Sequence, residues 1–268
     1  MQKEVIEKIN AAQLVLIGLG EEFDDLKRCK ENPIYVKGRS ILENSDKTYL
    51  LPAYDDYFRE ERKAEVKSAL QNLINCIKDK NYFVVTTSVN SAMQEMDWKE
   101  ERFTAPCGNA LKKQCIHGCS QGLKMLSESE RALLKQKITE FTDAVKEDRE
   151  YDLAEFDELF GICPECGTPL ILNNIYTEFY DEKGYLDSWQ TYRTWLQGTM
   201  NRNVVILELG VGLQCPSVIR FPFEKMAFYN QKASFYRVHE TLYHLAEDLQ
   251  GKGASISKNS IDWLQFLC

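Results

Sequence analysis

The stretch "LVLIGLG", Leu14–Gly20, decides how the rest of the chain is read. A continuous apolar run closed by glycines is the pattern of a strand buried on both faces that ends in a tight turn. Two later stretches repeat it. "YFVVTTSVN", Tyr82–Asn90, is β-branched and ends in small polar residues. "NVVILELGVG", Asn203–Gly212, ends in glycines. Helical segments stand between them. "REERKAEVKSALQNLINCIKDK", Arg59–Lys80, carries Val66, Leu70, Leu73, Ile74 and Ile77 at helical spacing. "SESERALLKQKITEFTDAVKE", Ser127–Glu147, opens with a Ser/Glu capping pattern, and "SWQTYRTWLQGTM", Ser188–Met200, also reads as helix. Strands alternating with helices predict an α/β fold with a doubly wound, Rossmann-like parallel sheet. Ligands of such sheets bind beyond the carboxyl ends of the strands, so the Gly18–Gly20 turn is a candidate phosphate loop.

Outward from these strands the pattern is less regular. Residues 2–12 read as a short helix with Val5, Ile6 and Ile9 on one face. Glu31–Asp56 reads as irregular and polar, and "FYRVHETLYHLAEDL", Phe235–Leu249, as a strand passing into a helix. Trp189, Tyr192 and Trp195 read as the buried face of a helix. The acidic runs "EEFDD" and "KEDREYD" read as solvated faces, and His244 as an ordinary histidine. A net charge of −8 and a pI of about 5.2 argue against nucleic acid as a partner. The start lacks the charged and long apolar regions of a signal peptide, and no apolar run spans a membrane. The expected location is cytoplasmic, where structural disulfides are rare.

That location bears on the cysteines. Cys115 and Cys119 form a CxxxC pair, and Cys163 and Cys166 form a CxxC pair within "CPECG". Pro164 and Gly167 bend the chain so that two thiolates point inward, as tetrahedral Zn²⁺ requires. Four protein ligands leave no position for water, so the metal is expected to be structural. His117, inside the first pair, is an alternative ligand. Cys29, Cys76, Cys215 and Cys268 read as isolated thiols. The expected organisation is a large domain from residues 1–110 and 170–268, with a helical insert near 26–69, and an inserted zinc-binding module at 111–169.

The order of motifs resembles the sirtuin (Sir2-like) family from about Leu14 to His239. The stretches "APCGNALKKQC" and "ELGVGLQCPSVIRFPFEKM" look most like divergent bacterial sirtuins linked to macrodomains, which are described as ADP-ribosyltransferases rather than deacylases. The resemblance implies NAD as cofactor and a modified protein as substrate or partner. It implies an enzyme that cleaves NAD for protein deacylation or ADP-ribosyl transfer, or an inactive relative that binds NAD or ADP-ribose.

Carried over residue by residue, the family's cofactor loop matches Gly18, Leu19 and Gly20, followed by Glu21 and Glu22. Carboxylates beside a pyrophosphate are unfavourable unless they point away or meet a cation. The later glycine loop matches Gly210, Val211 and Gly212, and the adenosine-side step matches Val238 and His239. The family's functional strand end matches Thr86–Asn90, with Ser88 and Asn90 where the family has Asn and Asp. Its general-base histidine matches Cys107. These three are the candidate catalytic residues, and all three are substitutions. A thiol is a poor base at neutral pH and an amide does not titrate, so the resemblance implies a degenerate catalytic site.

Overall fold

A computed structural model describes residues 2–267. In chain order the elements are α1 (Gln2–Ala11), β1 (Leu14–Leu19), α2 (Leu26–Cys29), α3 (Pro33–Glu43), α4 (Leu51–Arg59), α5 (Lys63–Ile77), β2 (Asn81–Thr86), β3 (Phe103–Thr104), β4 (Gly108–Cys115), β5 (Lys124–Met125), α6 (Glu128–Lys146), β6 (Leu170–Asn174), α7 (Leu186–Gln197), β7 (Val204–Leu209), α8 (Arg220–Tyr229), β8 (Ala233–His239), β9 (Gly253–Ser257) and α9 (Ser260–Leu264).

The large sheet has six strands in the order β3-β2-β1-β7-β8-β9, and every neighbouring pair is parallel. All residues of β1 and β7 are buried, which is why those runs are apolar throughout. Their side chains nevertheless divide by the two-residue period of a strand. Val15, Ile17 and Leu19 pack with Val66, Leu70, Leu73 and Trp263 on one face. Leu14 and Leu16 pack with Tyr192, Trp195 and Phe223 on the other. Helices therefore cover both faces, and the sheet is doubly wound as expected. Strand order reverses between β1 and β7, and that is the topological switch point where such sheets hold ligands.

A second sheet, in the order β5-β4-β6, is antiparallel and carries the first cysteine pair at the end of β4. It shares an apolar core with α3, α4 and α6 that includes Tyr35, Tyr54, Phe141, Cys115, Cys163 and Leu172. α6 begins at the expected capping box, with Ser127 and Glu130 each bonding the other's backbone.

Two local readings are corrected. Glu31–Asp56 is not irregular, because it contains α3 and most of α4. Asn32 caps α3 through Ile34 N and Tyr35 N, and Pro33 follows at the first helical position, where its missing N–H costs nothing. Conversely, the stretch after β8 forms no α-helix. Arg220 donates to the carbonyl of Leu242 at 3.2 Å and Arg237 to that of His244 at 2.6 Å, so these acceptors serve the tertiary fold instead. Among the described residues no helix is long and apolar enough to cross a membrane.

Candidate functional site

The two cysteine pairs come together. Cys115 Sγ, Cys119 Sγ, Cys163 Sγ and Cys166 Sγ all lie within 4.8 Å of one another. A tetrahedral site with Zn–S bonds of about 2.3 Å spaces its sulfurs about 3.8 Å apart, so the cluster fits such an ion after small adjustments. Each pair sits on a tight turn. Gly118 N donates to Cys115 O at 3.0 Å and Gly167 N to Cys163 O at 2.8 Å, and both glycines have positive φ. His117 is exposed and is not one of the four converging residues. The donor set is soft and offers four protein ligands, which suits zinc.

The remaining cysteines are not all isolated. Cys107, buried just before β4, donates to Cys215 Sγ at 3.8 Å. That bond and burial push the Cys107 thiol up, and the same bond pulls the Cys215 thiol down against its burial. Asp24 and Glu21 push Cys107 up further. Cys107 thus lies apart from the four-cysteine cluster and near acids of the β1 loop, as a neutral thiol. Cys76 is disulfide-bonded, and Cys268 lies outside the described residues.

At the switch point β1 and β7 end side by side. Gly18 lies beneath α8, and a Cβ there would stand 2.5 Å from Ile219 Cγ2. Leu19 points into the core. Gly20 N donates to Leu209 O at 2.9 Å, and a Cβ on Gly20 would stand 2.2 Å from Val211 Cα. The two glycine turns therefore pack backbone to backbone, with Gly210 at φ 62°. Val238, one residue before the end of β8, lies beside them, and its carbonyl accepts from Gly210 N at 2.8 Å.

The acidic run after Gly20 is not a solvated face. Glu21 Oε2 accepts from Gly212 N at 2.5 Å. Glu22 Oε1 accepts from Glu240 N at 2.7 Å, and Glu22 Oε2 from Ser260 N at 2.8 Å. Glu22 also approaches His239 Nδ1 at 3.2 Å. That contact is not an ion pair, since the same Nδ1 accepts from Thr241 N and Leu242 N at 3.0 Å each. His239 is therefore neutral on that nitrogen, and burial lowers its pKa. A cleft of about 560 Å³, lined in part by Glu21, Glu22, Arg28 and His239, opens here. The other acidic run, Lys146–Asp152, is largely exposed as expected.

Asp24 is the residue that sequence reasoning missed. Its Oδ1 accepts from Ser88 Oγ at 2.7 Å, Val89 N at 3.0 Å and Asn90 N at 3.1 Å. Arg59 Nη1 donates to the Asp24 carbonyl at 2.8 Å. Burial raises the carboxyl from 3.8 to about 7, against the pull of Arg59 and Ser88. Asn90 is bound into the same knot, with Nδ2 donating to Phe23 O at 2.8 Å and Oδ1 accepting from Ala92 N at 2.9 Å. Ser88 and Asn90 thus spend their polar atoms joining the β2 end to the β1 loop. The available signal was a five-residue run, rich in acids, placed directly after a buried strand.

The donors at the switch point suit the anionic middle of a dinucleotide, but the chain's own carboxylates hold them. A pyrophosphate fits there only with Glu21 and Glu22 turned away.

Six parallel strands reversing order at β1 and β7, with an antiparallel unit beside them whose four cysteines could hold a metal ion, make a Rossmann-like fold. No protein-family model matches the chain. The fold is that of the Sir2 sirtuins. The chain overlays on a structure of Sir2 with a p53 peptide and NAD⁺ at a TM-score of 0.51 and 11% identity, covering 99% of this chain and 96% of that one. It overlays on Sir2Tm bound to a propionylated peptide at 0.50 and 11%, covering 98% and 95%. In sequence it is similar to a protein ADP-ribosyltransferase of Staphylococcus aureus (strain Mu50 / ATCC 700699), 18% identical over 189 residues, 70% of this chain and 56% of that protein. It is also similar to a probable bifunctional ADP-ribose hydrolase/ADP-ribosyltransferase of Fusarium oxysporum f. sp. cubense, 23% identical over 146 residues, 54% of this chain and 23% of that protein. The chain spans little more than half of the first of these relatives and under a quarter of the second. Its fold is sirtuin-like, and its sequence is distantly similar to these ADP-ribosyltransferases.

Proposed function

We propose that this sirtuin-like chain binds NAD or ADP-ribose at the β1–β7 switch point, and that any NAD cleavage serves ADP-ribosyl transfer to a protein. The observation that carries this reading is the pairing of the two glycine turns at the reversal of strand order, where the Gly212 N–H could meet a pyrophosphate once Glu21 turns away. The names of the curated relatives favour ADP-ribosyl transfer over deacylation. The peptides bound to Sir2 neighbours support a protein acceptor. NAD would supply the ADP-ribosyl group, with nicotinamide leaving. Cys115, Cys119, Cys163 and Cys166 would hold a structural zinc that fixes the small sheet.

Turnover is expected to be slow. Cys107 stays a protonated thiol, and Ser88 and Asn90 are committed to bonds within the fold. Those commitments favour the second reading, a module that binds the nucleotide without turning it over. Nicotinamide release from NAD by wild type and Cys107→Ala, with calorimetry alongside, separates the two. Release that depends on Cys107 supports the enzyme. Binding without release supports the module. No binding of NAD or ADP-ribose at millimolar ligand rejects both.

A further inference from the structure

We propose that Glu21 and Glu22 determine ligand specificity at the switch point by occupying its backbone donors, so that a neutral nucleoside is accepted and a phosphate-bearing ligand is penalised. The inference rests on the placement of the ligand site given above.

Three observations carry it. First, Glu21 takes the N–H of Gly212 at 2.5 Å, and Glu22 takes that of Glu240 at 2.7 Å. Second, the glycines of the second turn are shaped to these acids. A Cβ on Gly210 would stand 2.6 Å from Glu22 Cβ, and one on Gly212 would stand 3.0 Å from Glu21 Oε2. The glycines that the resemblance assigns to cofactor approach therefore make room for the chain's own side chains. Third, the acids lack cationic partners. Among the described residues no Lys or Arg forms an ion pair with Glu21 or Glu22, and Glu21 Oε1 is buried with no hydrogen-bond partner. Of the nearby cations, Lys27 pairs with Glu240, Arg62 with Asp25 and Arg220 with Glu208, and Arg28 stands exposed in the cleft without an ion pair to either acid.

The chemistry follows from charge. Two carboxylates without a Lys or Arg ion-pair partner, in a partly desolvated turn, repel a pyrophosphate. The donors that would offset that repulsion are already used, so phosphate entry breaks existing hydrogen bonds before it makes new ones. A ligand without phosphates meets neither cost. Glu21 matters most, because its carboxylate lies on the glycine turn itself.

The test is calorimetry on the zinc-loaded full chain with two probes, ADP-ribose and adenosine. Wild type is compared with Glu21→Gln and Glu22→Gln, and with Glu21→Ala in case the Gln amide oxygen keeps the Gly212 bond. Matching melting curves confirm that each variant is folded. The expected result is ADP-ribose binding tightened about tenfold or more by Glu21→Gln or Glu21→Ala, with adenosine changed less than about twofold. Added salt should tighten wild-type ADP-ribose binding by screening the repulsion. Equal or weaker ADP-ribose binding by both Glu21 variants overturns the specificity role even if adenosine binds. If neither probe binds any variant, the ligand site itself is misplaced and the inference falls with it.

Discussion

Around Cys115, Cys119, Cys163 and Cys166 four soft donors converge, with Thr168 Oγ1 and the His117 N–H beside them. Around Gly20, Gly210 and Gly212 the backbone N–H groups are all taken within the chain, those of Gly20 and Gly210 by the carbonyls of Leu209 and Val238 and that of Gly212 by Glu21. The first region offers four ligands that a metal ion would complete. The second is completed by the polypeptide. The comparison teaches that matching a motif's glycines does not preserve the motif's vacancy. A glycine turn is kept equally well by a ligand or by a side chain that has taken the ligand's position.

The largest expected effect lies in the first region. Cys163→Ser should remove most of the bound zinc and lower the melting temperature by about 10 °C or more, since metal binding there is coupled to folding. Full zinc content by metal analysis with an unchanged melt would erase the contrast between the regions.

The next effect concerns Asp24, which fastens the second region to the β2 end. Its folded pKa of about 7 lies above the ordinary 3.8, so the folded state holds this proton more tightly than the unfolded state. That contribution is fully present below about pH 4 and is lost as pH rises through about 7. Asp24→Asn keeps an acceptor for Ser88, Val89 and Asn90 but removes the titration. Relative to wild type, it should gain stability between these pH values, by an amount on the order of a few kcal/mol. Denaturant unfolding across the range checks this, and a constant difference would show that Asp24 is already ionised when buried.

Smaller still is the helix start between the cysteine pairs. Ser127→Ala breaks the capping box of α6 and should cost about 1 kcal/mol without altering zinc content. A loss of zinc on this change would tie the helix start to the metal site. The smallest effect is expected from Cys107→His. It should raise nicotinamide release little or not at all, because Ser88 and Asn90 remain bound into the Asp24 knot. A clear rise would locate the catalytic defect in one side chain.

Much of the fold was legible because its signals are local. The apolar runs at Leu14–Gly20 and Asn203–Gly212 became central strands, and the Ser127/Glu130 pattern became a capping box. The cysteine pairs were legible because metal ligands must come in short, bent pairs. The helix at Pro33 was missed although Asn32-Pro33 is a helix-start signal, since Gly38 and the polar surroundings hid its periodicity. The false helix after β8 was not decidable locally, because Arg220 and Arg237 reach it from distant elements. The same holds for the candidate site. That Glu21, Glu22 and Asp24 turn inward depends on donors from Gly212, Glu240, Ser260 and the Ser88–Asn90 loop, none of them near in sequence.

The most direct test of the account is a crystal structure of the zinc-loaded chain with ADP-ribose at saturating concentration. The ligand is expected at the β1–β7 switch point, with its pyrophosphate on Gly212 N and the Glu21 carboxylate turned away from that N–H. A ligand bound elsewhere, or one at the switch point with the Glu21–Gly212 hydrogen bond intact, would contradict it.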